Sequence, residues 1–84
     1  NLKQIYFQEK AYARATTAGE RITWLHPDST QDYRDLGYLY HQSNSYGKSL
    51  AAFKEYLRLA GDVPDRKEIE RNVGLLTKQL ATMN

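Results

Sequence analysis

Residues along this 84-residue chain echo one another at a fixed offset of 34. Leu2 matches Leu36, Tyr6 matches Tyr40, and Tyr12 matches Tyr46; small Ala15 falls on small Ser49, Ile22 on Tyr56 and Leu25 on Leu59. Chance supplies two or three such matches, whereas these six fall where a folded unit buries its side chains. A fixed period of this size constrains the fold before any local propensity is considered. Each unit is too small to bury its own apolar side, so successive units must stack.

Within the period the spacing predicts two helices per unit. In the second unit a helix is expected from about Thr30 to Gln42, with Asp28, Ser29 and Thr30 as capping candidates after Pro27. Tyr33, Leu36, Gly37 and Tyr40 recur at three and four, one face of a 3.6-residue helix. Ser43, Asn44 and Ser45 readily bond their own backbone and should turn the chain. The next helix is expected from Tyr46 to Leu59, with Tyr46, Ser49, Leu50, Phe53 and Leu57 on its inner face. Gly61 offers a left-handed cap and Pro64 a stop.

The first unit reads as a shortened copy: a helix over residues 2–8, a turn at Glu9-Lys10-Ala11, and a helix from Tyr12 to Leu25. After Pro64, Asp65 can cap a last helix whose Ile69, Val73, Leu76 and Leu80 form one apolar stripe. It does not repeat the 34-residue pattern and suits the closing element of a stack. The expectation is an all-α fold of antiparallel helix pairs, about five helices in one domain over residues 1–84. Residues 1–28 form a partial first repeat, 29–62 a second and 63–84 a capping helix. The missing start of the first repeat and the absence of an opening Met lead to the expectation that the chain is a fragment of a longer protein.

Tyr33-x2-Leu36-Gly37-x2-Tyr40, then Tyr46 and Ser49-x3-Phe53, resembles the tetratricopeptide repeat pattern W-x2-L-G-x2-Y…A-x3-F…P. Tyr33 replaces the Trp, Ser49 the Ala, and Gly61 with a displaced Pro64 the closing Pro. The first unit departs at Lys3, where Gly is usual, and at Gly19, where Phe is usual. The resemblance covers residues 1–61. A narrower one is carried by Asn1-Leu2-Lys3, Arg34-Asp35-x-Gly37-x-x-Tyr40 and Tyr56-Leu57, which is similar to the C-terminal region of bacterial SirB-type transglutaminase-like proteins. That likeness implies a preceding papain-like domain, and a cytoplasmic setting is the default.

Composition narrows the chemistry. There is no cysteine, which removes disulfides, thiolate metal sites and thiol nucleophiles from this stretch of chain. His26 and His41 lie in different units without a ligand-spaced partner, and the five glycines are too scattered for a phosphate loop. Catalytic, cofactor and metal residues are therefore expected to be none. A net charge of +2, spread among both signs, gives little support to nucleic-acid binding, and no run reaches the ~20 apolar residues of a membrane span.

Tyr6, Tyr12, Tyr33, Tyr40, Tyr46 and Phe53 fall on core positions of the period. Trp24 keeps two readings, core or a surface towards a preceding domain. The tetratricopeptide resemblance implies a concave side lined by the first helix of each unit. The residues it places there are Gln4, Phe7, Gln8, Gln31, Arg34, Tyr38, His41 and Gln42. Such a side takes an extended peptide or another domain. The Lys/Asn arrangement of carboxylate-clamp members is absent. The expected partners are a protein or peptide, the preceding domain of the same chain among them, or a second copy across the shortened end; nucleic acid and membrane are not expected. The alternative to an interdomain role is an independent peptide-binding scaffold.

Overall fold

The computed structural model describes the backbone of residues 2–83 and the side chains of residues 9–83. Among these the chain forms four α-helices and no strand: α1 (Leu2–Leu25), α2 (Thr30–Gln42), α3 (Tyr46–Ala60) and α4 (Arg66–Thr82). They stack in order, α1 on α2, α2 on α3, α3 on α4. The limits expected for α2 are reproduced, and α3 extends one residue further.

One expectation is corrected. The two helices foreseen over residues 2–8 and 12–25 are a single 24-residue α1, so there are four helices rather than about five. Glu9, Lys10 and Ala11 are all good helix formers, and neither Gly nor Pro interrupts them. Nothing in that tripeptide makes the chain leave the helix. A consequence follows for the first unit: Tyr12, Ala15, Ile22 and Leu25, expected in the core, are exposed, and among the described residues no antiparallel helix covers them. Tyr6 lies outside the described side chains.

The turns follow the residues predicted for them. Leu25 ends α1 before Pro27, and Ser29 occupies the cap of α2 with its hydroxyl spent on the Asp32 carboxylate. Asn44 sits at φ 60° between α2 and α3, a left-handed conformation asparagine tolerates. Gly61 ends α3 at φ 68°, and the Arg66 guanidinium donates to the carbonyls of Leu57 and Gly61 (3.1 and 2.6 Å). Carbonyls left without helical donors at the end of α3 are thereby satisfied.

Two glycines set how closely the helices approach. A Cβ at Gly37 would stand 2.5 Å from the Phe53 ring, so α2 and α3 meet with the ring against bare backbone. Ser49, fully buried, donates its hydroxyl to the Gly37 carbonyl at 2.6 Å. This gives the Ser at the usual Ala position a partner. Gly19 repeats the device between α1 and α2, where a Cβ would meet Leu36 Cδ2 at 2.9 Å. Phe53, Tyr56, Ile69 and Leu76 form the buried cluster between α3 and α4, with Tyr33, Tyr46, Leu50, Leu57 and Val73 packed around it.

Candidate protein-interaction surface

Tyr38 and His41 project from α2 on the side away from its buried Leu36. Tyr38 meets Phe53 edge-on, centroids 5.1 Å apart, and His41 meets Tyr46 at 5.5 Å. With Asn72, Leu75, Leu76 and Gln79 of α4 they enclose a cleft of about 110 Å³, floored by Phe53. That is well under the ~300–1,000 Å³ of small-molecule pockets, and fits one apolar side chain. No Asp, Glu, Lys or Arg is among the described residues that line it. Burial pushes the Tyr38 phenol above its usual range, helped by the carboxylates of Glu68 and Asp65. The hydroxyl therefore remains a neutral donor throughout the physiological range.

Arg34 stands apart from this cleft. Its guanidinium pairs with Asp65 at 3.1 Å, and the Tyr56 hydroxyl donates to the other oxygen of the same carboxylate at 2.6 Å. This three-residue link ties α2 and α3 to the start of α4. The Asp65 carboxyl is held below its usual range, chiefly by the Tyr56 hydroxyl and then by Arg34. Asp65 occupies the N-cap position, but its side chain makes no capping bond to the helix.

The sequence-predicted surface residues thus fall into separate groups. Tyr38 and His41 share the cleft with α4, whereas Gln31 and Arg34 border a second depression with Thr30, Tyr56, Leu59, Ala60 and Val63. Gln42 is exposed at the end of α2. Gln4, Phe7 and Gln8 lie outside the described side chains. Asn72, Leu75 and Gln79 were not anticipated, since α4 lies outside the 34-residue echo. A signal existed: Leu75 is an apolar residue off the Ile69–Leu80 stripe, with Gln79 one turn on. It is 59% exposed.

Four residues of the motif behind the narrower resemblance have packing roles, while Asn1-Leu2-Lys3 lies outside the described side chains. Arg34 and Tyr56 hold Asp65, Gly37 admits Phe53, and Tyr40 donates to Glu20 of α1 at 2.5 Å. Among the described residues no helix is long and apolar enough to cross a membrane. No curated protein matches the chain. The family model described as tetratricopeptide repeat matches residues 2–74. Paired helices locked by a glycine, a small residue facing it and an aromatic ring in the gap agree with that match over most of the length. The chain belongs to the tetratricopeptide repeat family, whose members serve as protein-interaction modules.

Proposed function

We propose that this chain is a non-catalytic protein-interaction module that receives an extended peptide segment in the cleft between α2 and α4. The observation that carries the reading is the placement of Tyr38, His41, Asn72, Leu75 and Gln79 around an apolar floor. Tyr38 and Leu75 offer apolar contact, and Asn72 and Gln79 offer both donors and acceptors to a peptide main chain. Arg34 is matched by Asp65, and neither Lys nor Arg lines the cleft, so a free carboxylate terminus is a poor ligand. An uncharged segment with one aliphatic or aromatic anchor fits better.

The likeness to SirB-type transglutaminase-like proteins supports an interdomain version, in which the segment comes from a preceding catalytic domain. The independent scaffold takes the segment from another protein. Both use the same cleft. Selection of displayed random peptides on the chain tests this reading. The expected clones share an apolar anchor and bind Tyr38→Ala and Leu75→Ala about tenfold more weakly, with both variants still folded and helical at the assay temperature; tenfold corresponds to about 1.4 kcal/mol. Clones indifferent to both substitutions would place the site elsewhere.

A further inference from the structure

α1 and α3 both rest on α2, but their backbones do not approach each other. α1 meets α2 through Gly19, where an added Cβ would stand 2.9 Å from Leu36, and through the buried Thr23. α3 meets it through Phe53 over Gly37. The two crossings leave a trough between α1 and α3, with one flank of α2 as its floor. Its volume is about 330 Å³, inside the ~300–1,000 Å³ of small-molecule sites that the α2–α4 cleft falls short of. Its α1 wall is Thr23, on the side of α1 that already carries α2, so the trough is complete within the helices described.

The trough has an apolar middle and two polar ends. Leu36 of α2 with Ala51 and Ala52 of α3 form the middle, and the Tyr33 and Tyr40 rings stand at either end of it. The small side chains at positions 51 and 52 leave the width. At the Tyr40 end, Lys48 places its ammonium 5.8 Å from the ring centroid, a cation held on the ring face. Lys48 has no ion pair among the described residues. The Tyr40 hydroxyl donates to the Glu20 carboxylate at 2.5 Å. Burial, and then that bond, push the phenol well above its usual range, so it adds no negative charge. At the Tyr33 end the carboxylate of Glu55 is paired with Arg58. Lys48 and Glu55 are separated by about two turns of helix, roughly 10 Å along the axis.

These groups select by charge as well as by shape. One unmatched ammonium suits a single negative charge, and the carboxylates of Glu20 and Glu55 oppose a dianion such as phosphate. A cationic ligand would be repelled by Lys48, and an uncharged one would leave the ammonium without a partner. We infer that the trough binds a small amphiphilic monocarboxylate, with its carboxylate on Lys48 and its apolar body laid over Leu36, Ala51 and Ala52 towards Tyr33. The site shares no lining residue with the α2–α4 cleft and stands independently of it.

Titration of octanoate, octanol and octylammonium into the whole chain, followed by backbone amide shifts, tests this. The three probes share one alkyl chain and differ only at the head. Octanoate is expected to shift Tyr40, Lys48 and Ala52 saturably and to bind about fivefold tighter than octanol, with octylammonium weaker still. Raising the salt should narrow the gap. Lys48→Gln should abolish the preference for octanoate. Ala51→Gln should fill the trough and weaken octanoate and octanol alike, and Tyr38→Ala should change neither. The proposal is overturned by equal affinity for octanoate and octanol, by a preference that survives in Lys48→Gln, or by the absence of saturable shifts at these residues.

Discussion

The two helix-contact glycines differ in what stands opposite them, and that difference sets opposite expectations. At Gly37 an added Cβ meets three ring atoms of buried Phe53 within 2.8 Å. The ring cannot move without displacing the core, so Gly37→Ala is expected to cost about 1–3 kcal/mol despite the gain in helix propensity. At Gly19 the obstacle is the methyl end of Leu36, which can rotate aside. Gly19→Ala is therefore expected to stay within about 1 kcal/mol of neutral, as a helix-propensity gain of about 1 kcal/mol offsets the crowding. Urea unfolding of both variants checks the contrast, and equal losses would show that Gly37 has no special role. The Asp65 link makes a pH prediction. Its carboxyl ionises more readily folded than unfolded, so its contribution to stability is complete above the ordinary value of 3.8 and fades as pH falls through the lowered one. Asp65→Asn should flatten the acid limb of a melting-temperature profile, and Tyr56→Phe should flatten it partly. An acid limb identical to that of the parent chain would exclude this carboxylate as its cause.

At the scale of the helices, the period and the turn residues made most of the architecture legible. Tyr33, Leu36, Gly37 and Tyr40 lie on one helix as read, and Asn44 and Gly61 turn the chain where their backbone tolerance allows. What escaped was the join at residues 9–11. The echo of Leu36 and Tyr40 at Leu2 and Tyr6 points to a separate helix, but Glu9-Lys10-Ala11 holds no residue that breaks one. Local propensity overrode the repeat. The cleft was half legible: Tyr38 and His41 follow from the face they share, whereas Asn72, Leu75 and Gln79 depend on how α4 docks, which no period encodes. α4 yields its own prediction. Gly74 lies mid-helix with nothing within 4 Å of an added Cβ, so Gly74→Ala should stabilise by about 0.5–1 kcal/mol. For a domain of this size that is a rise of about 2–8 °C in melting temperature. An unchanged or lower value would mean that α4 is not helical at that point.

Over the whole molecule, stability rests on few side chains. Phe53, Ile69 and Leu76 are at most 2% exposed and belong to one cluster that joins α3 to α4. Phe53→Ala is expected to cost about 3–5 kcal/mol, a large share of the ~5–15 kcal/mol that holds a typical domain together. Because Phe53 is also the floor of the cleft, that variant cannot separate folding from binding, and surface residues must do so. The molecule presents two unlike faces: a cleft on the α2–α4 side that no Asp, Glu, Lys or Arg lines, and a helix face on α1 that carries Lys10, Arg14 and Arg21. A peptide received by the cleft must perturb the residues that line it. Titrating a display-selected peptide into the isotope-labelled chain and following backbone amide shifts tests it most directly. The largest shifts are expected to cluster at Tyr38, His41, Asn72, Leu75 and Gln79, with α1 silent. Shifts concentrated on α1, with the cleft unmoved, would contradict it.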